Sequence, residues 1–449
     1  MPHRIDNEIT EGSLVKAFAK YIFPLLLGGI IQQSYSVIDA LIVGNYLGKE
    51  ALAATDSPMA FIRLLVSAFL ALSGGGSILI SLLYGAKDFT RVRQTVKRMM
   101  QFSVIAGFII TVISILITPL GLRIMLVPEE LLPLSRSYLT YYFLGTAFVL
   151  AYNMASGILR AVGDSKNPFI YLCISAVSNI VLDLLFVAVF KWGVAGAAIA
   201  TVLSQVIATI LIVLKLIRIK ECYGLELAKI EIPHGTLWRA IKLGLPMAAQ
   251  SVIFSVANMY MQRGINSFGT DGIAGWTIIG KVDVIVFILA ETLGLTVTTF
   301  VAQNLGAGKL HRLKRTIYLA LGTSAVLYAS MALLFYFQMP FFAKFFTQDT
   351  GAIAKAVEFI QIIAPFHFCF AITEIFNSAS KGSGNTVTPM MITLLAIGIF
   401  RILWMSIVYT ALPSARTVVI GYPISWGLAA AFSVLQYFVS VRKKFAVVK

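Results

Sequence analysis

Twelve long apolar segments constrain the fold of this 449-residue chain more than any other feature of its sequence. Each has the roughly 20 residues or more that a helix needs to cross about 30 Å of hydrocarbon. Their approximate ranges are 18–46, 52–83, 99–119, 134–160, 168–190, 194–217, 240–268, 273–304, 317–339, 353–380, 388–411 and 417–440. Because 58% of the residues are hydrophobic and only 12% are charged, no soluble domain of this size could bury so much apolar surface. We predict an all-α integral membrane protein with twelve transmembrane helices.

The second half of the sequence repeats landmarks of the first half at an offset of 221 residues. The matched pairs are Gly48 and Gly269, Gly85 and Gly306, Arg91 and Arg312, Thr95 and Thr316, Gly163 and Gly384, and Pro168 and Pro389. Internal duplication in a membrane chain is typical of transporters whose two halves rock around a site between them. The repeat predicts two pseudo-symmetric six-helix lobes around a central cleft: an N-lobe of residues 1–222, a cytoplasmic linker of residues 223–239 and a C-lobe of residues 240–449.

The formal net charge of +16 reflects membrane orientation rather than nucleic-acid binding. We assign 25 of the 36 Lys and Arg residues to loops on the side of the N-terminus, and seven to loops on the other side. The positive-inside rule then places both termini in the cytoplasm, and an even number of spans agrees with this. We expect a multi-pass protein of the inner membrane whose partners are the lipid bilayer and a small-molecule substrate, with no nucleic-acid partner.

The motifs of enzymes are missing from the sequence. Residues 275–282 are one residue short of a phosphate-binding loop and lie in an apolar span, where that loop does not occur. The four histidines form no HExxH motif, and the three cysteines are scattered. We therefore expect no enzymatic activity, no cofactor and no metal site of histidines or cysteines, so that transport energy has to come from an ion gradient.

Ionisable side chains within spans are costly and usually face a cavity or a partner. Asp39 in span 1, Asp183 in span 5 and Thr201 in span 6 all lie about 10–14 Å below the outer surface at 1.5 Å per residue. Asn179 precedes Asp183 by one helical turn, so both point to the same face. These four residues predict an oxygen-rich pocket that can hold Na⁺ or a proton, since two nearby carboxylates favour protonation of one of them. The alternatives are that the acids hydrogen-bond within the packing, or that one pairs with Arg63.

The chain resembles the multidrug and toxic compound extrusion (MATE) transporters over nearly its whole length. The matching residues are Pro24, Asp39, Gly48-x-x-Ala51-Leu52-Ala53, Gly85-Ala86, residues 159–165, Asn179-x-x-x-Asp183 and residues 193–201. The resemblance implies twelve helices in two lobes and export of amphipathic, often cationic compounds by antiport with H⁺ or Na⁺. In the prokaryotic branch that this chain is most similar to, the cation-coupling site lies at the positions of Asp39, Asn179, Asp183 and Thr201, and the residue matching Pro24 lets helix 1 bend.

The repeat is not symmetric at this predicted site. At the 221-residue offset, Asp39 corresponds to Tyr260, Asn179 to Phe400 and Asp183 to Trp404. The C-lobe has therefore lost any copy of the N-lobe cation site. Another branch of the family binds its cation through acids on spans 7 and 10, but span 7 of this chain contains no acid.

Several C-lobe residues are candidates for the substrate cleft. Glu291 and Glu374 can attract a cationic substrate, or they can pair with Arg263 or Arg401. Lys281 and Asp283 are two residues apart on one helix, so each needs another partner. The aromatic rings of Tyr35, Tyr152 and Trp276 can stack on flat or cationic compounds, although such rings also serve packing.

The sequence predicts a monomeric antiporter that works by alternating access. An ion would enter the pocket of Asp39 and Asp183 and favour a rearrangement of helix 1 near Pro24 that expels the substrate. The nearest alternative is a flippase for a lipid-linked precursor from the same superfamily. A membrane-embedded enzyme or a non-transporting receptor is a more distant alternative.

Overall fold

The structure, a computed structural model, describes residues 8–56, 59–125, 127–226 and 235–441. The middle of the predicted linker, residues 227–234, lies outside this part, as do residues 1–7 and 442–449 at the ends of the two predicted lobes. The side chain of Arg63 is also outside the described part, so its proposed pairing with an acid is not addressed. The described chain is helical, and no strand occurs in it.

The described residues of the first half form seven α-helices. They are α1 (Leu14–Asp56), α2 (Met59–Gly85), α3 (Phe89–Ile124), α4 (Leu132–Leu144), α5 (Thr146–Ala161), α6 (Lys166–Asp183) and α7 (Gly193–Arg218). A π-helical segment, Leu184–Val189, continues α6. Gly48 interrupts α1 with a φ of 86°, as its position at the predicted outer turn requires, because glycine adopts positive φ without steric cost.

The described residues of the second half form eight α-helices and repeat this pattern. They are α8 (Thr236–Asn266), α9 (Gly269–Gly306), α10 (Leu310–Lys344), α11 (Thr350–Ile363), α12 (His367–Gly382), α13 (Val387–Thr393), α14 (Phe400–Leu403) and α15 (Ala415–Gln436). Two π-helical segments, Leu394–Ile399 and Trp404–Tyr409, flank α14 and join it with α13 into one span. A third π-helical segment, Tyr437–Val441, extends α15.

The backbone confirms the internal repeat at the offset read from the sequence. Positive φ angles recur in three matched pairs: Gly48 with Gly269, Lys87 with Gly308, and Gly163 with Gly384. Since L-residues rarely adopt positive φ, three coincidences at one spacing are strong evidence of a shared local fold. The beginnings of α3 and α10, and those of α5 and α12, also differ by 221 residues.

Ten helices of the described chain are long and apolar enough to cross a membrane, and α4 with α5 forms an eleventh span bent by 45°. The helix α2 has 27 residues and lies where the sequence predicts span 2. At 1.5 Å per residue it is about 40 Å long, enough to cross the hydrocarbon core. The prediction of a twelve-helix membrane protein agrees with this architecture.

The contacts divide the chain into two compact units: Ala19–Ala248, and Ala249–Lys449 together with Met1–Phe18. We call them the first and the second unit. The start of α8 packs within the first unit, where a Cβ on Gly75 would lie only 2.2 Å from the carbonyl oxygen of Ala240. The described N-terminal residues pack within the second unit, where the ring of Phe18 meets that of Phe300 edge-on at 5.7 Å.

Candidate cation site

Three helices of the first unit contribute the four residues of the predicted cation site. Asn179 and Asp183 lie on α6 with 1% and 0% of their surface exposed, whereas Asp39 on α1 and Thr201 on α7 are partly buried. The amide Nδ2 of Asn179 donates to the Thr201 hydroxyl at 3.5 Å. The Thr201 hydroxyl in turn donates to the carbonyl of Ala197 at 3.1 Å. The structure therefore joins the α6 and α7 parts of the site directly.

The oxygen atoms of this site lack hydrogen-bond donors. Within the described residues, no donor forms a hydrogen bond with Oδ1 of Asp39, Oδ1 of Asn179 or either carboxylate oxygen of Asp183. Buried polar atoms are rarely left without a partner, because each costs about 1–3 kcal/mol. Four unpartnered oxygens in one place indicate a site that needs an added positive partner.

The two carboxyl groups supply the charge for binding such a partner. The carboxyl groups of Asp39 and Asp183 are close enough for each to influence the other electrostatically. Two carboxyl groups can share a hydrogen bond only if one of them holds a proton, and otherwise a cation must separate them. No group of three or more His, Cys, Asp or Glu side chains that could hold a metal occurs in the described chain. The donor set is thus suited to a proton or to Na⁺, which accepts neutral oxygen ligands, rather than to a transition metal.

The local sequence explains how the site is built. The four-residue spacing puts Asn179 and Asp183 on one face of α6. The π-helical segment that begins directly after Asp183 has the widened helical geometry that occurs frequently at functional sites. Small residues at the start of α7, including the buried Ala197 and Ala198, allow that helix to approach closely.

Several tyrosines interact electrostatically with the acids, and the sequence predicts a role for only one of them, Tyr35. Tyr138 and Tyr142 on α4 stack with their ring centroids 5.9 Å apart. Both interact electrostatically with Asp39, and Tyr138 also interacts with Asp183. Tyr35, one turn before Asp39, belongs to the same group. The available signal was the four-residue spacing of Tyr138 and Tyr142, which puts two hydroxyl groups on one face of an apolar span.

Two of the aromatic residues proposed for the substrate cleft make contacts within their own unit. The Tyr152 hydroxyl donates to the carbonyl of Pro168 at 2.9 Å. The ring of Trp276 packs against Tyr422 at 5.0 Å and against Phe359 at 6.3 Å. Pro24, proposed as the bending point, lies inside α1.

The charged residues of the second unit find partners that sequence spacing did not reveal. Glu374 accepts a hydrogen bond from the Ser378 hydroxyl at 3.0 Å and lies 3.8 Å from the ammonium of Lys381. It therefore pairs with Lys381 rather than with Arg263 or Arg401. Oδ2 of Asp283 lies 3.4 Å from Nε2 of His367.

The remaining charged residues of that set differ strongly in burial. Lys281, Glu291 and Arg263 are exposed on their helices, whereas Arg401 is fully buried. Because Lys281, Glu291 and Arg263 are exposed, a ligand or a lipid can reach their side chains. Because Arg401 is buried, it can contact only the side chains that pack around it.

A comparison with models of protein families identifies the family of this chain. The family model MatE matches residues 24–185 and again residues 246–406, once in each half of the repeat. The chain is a member of the MatE family. The transporters of this MATE family are not enzymes, in agreement with the motifs missing from the sequence.

Similar proteins support the same assignment over the whole chain. The chain is 27% identical to "Probable multidrug resistance protein YpnP" of Bacillus subtilis over 439 residues, covering 97% of this chain and 96% of that protein. It is 29% identical to "Probable multidrug resistance protein YoeA" of the same organism, covering 88% and 86% of the two chains. The crystal structure of a MATE protein in the bent conformation superimposes with a TM-score of 0.90 at 21% identity, covering 98% of this chain and 97% of that one. The MATE fold of this chain is therefore established over the described residues.

Proposed function

We propose that this MATE protein is a secondary antiporter that exports amphipathic, cationic organic compounds in exchange for H⁺ or Na⁺. The observation that carries the proposal is the group of four buried oxygens without donors on Asp39, Asn179 and Asp183. A fixed structural cluster would have these oxygens satisfied by protein donors, whereas a site for an exchangeable cation has to leave them free. Thr201 completes the ligand set on the α7 side.

Coupling requires that the ion and the substrate favour opposite conformational states. Charge neutralisation between Asp39 and Asp183 relieves their repulsion and favours a rearrangement of α1, for which Pro24 is the proposed bending point. Alternating access of the two lobes then releases the ion to the cytoplasm and the substrate to the outside. We propose that a monomer in the inner membrane, with both termini in the cytoplasm, performs this cycle.

Multidrug export is the substrate class that the names of the relatives favour over a lipid-linked precursor. The relatives YpnP and YoeA are both named as probable multidrug resistance proteins. We propose Tyr35, Tyr152 and Trp276 as aromatic contacts for the compound. Glu291 is proposed as an acid that attracts its positive charge. Glu374 does not take this role in the proposal, because Lys381 neutralises it.

Efflux from proteoliposomes tests the proposal directly. Purified protein is reconstituted with a fluorescent cationic dye, and efflux is driven separately by a proton gradient and by a sodium gradient. We expect one gradient to drive efflux in the wild type and Asp183→Asn to abolish that response, because the substitution removes the negative charge that binds the ion. The gradient that works identifies the coupling ion.

The matched control is Asp349→Asn, which also removes one carboxylate. Asp349 caps α11 through a hydrogen bond to the backbone N–H of Ala352 at 2.8 Å, and asparagine can keep that bond. This variant should retain gradient-driven efflux. Efflux that survives in Asp183→Asn would move the coupling site elsewhere, and absence of efflux in the folded wild type would favour the lipid flippase.

A further inference from the structure

Arg401 carries a permanent charge at a fully buried position of the second unit. Its side chain is 0% exposed, and it lies on the short helix α14 between two π-helical segments. A guanidinium group remains protonated in proteins, so it cannot avoid this burial by losing its proton. A buried charge is costly unless surrounding groups stabilise it.

Neutral groups from two neighbouring helices stabilise this cation. Nε of Arg401 donates to the Ser425 hydroxyl at 3.0 Å, and Nη1 donates to Oδ1 of Asn258 at 2.6 Å. The guanidinium carbon lies 4.3 Å from the ring centroid of Tyr422, a favourable distance for a cation over an aromatic face. In the described part of the chain no carboxylate pairs with Arg401, and its Nη2 atom lacks a hydrogen-bond partner.

The ligands of Arg401 are those that a free cation would use. An amide oxygen, a hydroxyl oxygen and an aromatic face can all coordinate a monovalent cation. A salt bridge would make Arg401 one half of a neutral pair. The surroundings found here instead leave a net positive charge inside the second unit.

The repeat relates this cluster to the cation site of the first unit. At the 221-residue offset, Tyr422 corresponds to Thr201, which is a member of that site, and Ser425 corresponds to Ser204. The local geometry is shared, because Ser204 donates to the carbonyl of Thr201 at 2.8 Å and Ser425 donates to that of Tyr422 at 2.7 Å.

The other two members of the cluster fall close to the remaining site residues. Arg401 corresponds to Ile180, next to Asn179, and Asn258 corresponds to Val37, two residues before Asp39. The three helical spans that build the cation site of the first unit therefore have counterparts that build the Arg401 cluster of the second.

We propose that Arg401 is a tethered cation that fills the second-unit counterpart of the cation site. The second unit then stays permanently loaded with positive charge, and exchangeable ion binding is confined to the first unit. This explains why the carboxylates of the first unit are replaced by Tyr260 and Trp404, since a tethered cation that is never released needs no titrating acid. The confinement of ion coupling rests on the proposed antiport function, whereas the cation-binding character of the cluster does not.

Chemical rescue tests the cluster without any transport measurement. Arg401→Ala leaves Asn258, Ser425 and Tyr422 around a space of guanidinium shape. We expect millimolar guanidinium chloride to raise the melting temperature of this variant in detergent by about 2 °C or more, with saturation. Equal concentrations of urea, a neutral molecule of the same shape, and of potassium chloride should give no such rise. The wild type and Asp183→Asn should respond to none of the three.

A second comparison covers the case in which Arg401→Ala does not fold. Arg401→Lys keeps a tethered cation, whereas Arg401→Met keeps much of the length and none of the charge. We expect Arg401→Lys to retain most of the folded yield of the wild type, and Arg401→Met to lose at least half of it. Equal yields, or rescue of Arg401→Ala by urea as well as by guanidinium, would overturn the tethered-cation assignment in favour of simple packing.

Ion binding to purified protein tests the confinement to the first unit. Proton release and ²²Na⁺ binding should show one exchangeable ion per wild-type chain and none in Asp183→Asn. Binding that persists in Asp183→Asn would reveal a mobile ion site in the second unit and overturn the confinement. Absence of any ion binding in the wild type would instead contradict the proposed antiport function, so the two failures are distinguishable.

Discussion

Nε2 of His367 lies 3.4 Å from Oδ2 of Asp283, and both side chains are almost fully buried within the second unit. This contact joins the start of α12 to the middle of α9. The His367 ring also packs against the indole of Trp426 at 5.7 Å between centroids. The pair is separate from the proposed cation site, and its geometry indicates a structural contact between helices.

Removing one member of this pair should cost stability. We expect His367→Phe to lower the free energy of unfolding by about 1–3 kcal/mol, because it leaves the buried Asp283 side chain without the polar contact of the imidazole ring. The double variant His367→Phe/Asp283→Leu should recover much of that loss, since both polar groups are then gone. Unfolding in detergent measures the free energy of unfolding of the wild type, the two single variants and the double variant. Additive effects of the two substitutions would contradict the pairing.

The amide of Asn179 should contribute to ion binding. We expect Asn179→Ala to weaken binding of the coupling ion about tenfold, which corresponds to about 1.4 kcal/mol, because the site loses one oxygen ligand. Ion titration of dye efflux measures the change. The control is Ser175→Ala, one turn earlier on α6, where the lost hydroxyl only donates to the carbonyl of Ser204 at 3.1 Å. The prediction is wrong if both variants show the same ion dependence.

The hydroxyl of Tyr138 should also affect the ion. Tyr138→Phe keeps the ring that stacks on Tyr142 and removes the polar group near Asp39 and Asp183. We expect a several-fold change in apparent ion affinity with a nearly unchanged melting temperature. Tyr328→Phe is the matched control, because its buried hydroxyl donates to the carbonyl of Val286 at 2.9 Å, within the second unit. An unchanged ion affinity in Tyr138→Phe would remove this residue from the site.

Arg312 should hold the N-terminal segment of residues 8–12 in place. Its guanidinium donates to the carbonyls of Ile9 at 2.8 Å and Gly12 at 2.7 Å, and to those of Glu8 and Glu11 at 3.1 and 2.9 Å. Loss of these charge-assisted hydrogen bonds in Arg312→Gln should increase amide hydrogen exchange in this segment at least about tenfold. Mass spectrometry of the exchanged peptide measures it.

The repeat provides the control for this experiment. Arg91 is the counterpart of Arg312 at the 221-residue offset, and it forms an ion pair at 3.4 Å with Asp88 on its own helical turn. Arg91→Gln should leave exchange in residues 8–12 unchanged. Equal effects of the two substitutions would show that the segment does not depend on Arg312.

The thiol of Cys222 should react slowly at neutral pH. Cys222 lies beyond the end of α7, outside the membrane spans. Burial first, and then the nearby charge of Glu221, raise its pKa to about 11. Because the thiolate is the reactive form, the alkylation rate should rise about tenfold per pH unit up to a pH near this pKa. The measurement uses iodoacetamide on a Cys173→Ser/Cys369→Ser variant. Glu221→Gln should lower the pKa and accelerate the reaction, and a rate that levels off near pH 9 would contradict the prediction.

Much of the fold could be predicted from the sequence because its signals are local. Apolar length indicates each span, and a glycine at a positive φ angle marks a turn irrespective of what packs around it. The repeat predicts the same turns in both halves. Gly48 and its counterpart Gly269 both adopt a positive φ angle in the structure. Helix spacing and depth also placed Asn179 and Thr201 at one level of the membrane, and in the structure they share a hydrogen bond.

The partners of the remaining charges depended on tertiary structure. Spacing suggested that Glu374 could pair with Arg263 or Arg401, yet it pairs with Lys381 on its own helix. His367, as the partner of Asp283, and Tyr138, beside the acids, were not anticipated.

The sequence by itself determined that this protein is a duplicated bundle of membrane helices, and it placed the acids of the proposed cation site in one half. Only the tertiary structure decided that the cluster around Arg401 holds a positive charge without an acid. The physical reason is the distance along the chain over which each effect acts. Helical periodicity and hydrophobic length act over a few turns of one segment, whereas a charge in an apolar interior is stabilised by groups far away in sequence. Asn258 is 143 residues from Arg401 along the chain and 2.6 Å from it in space.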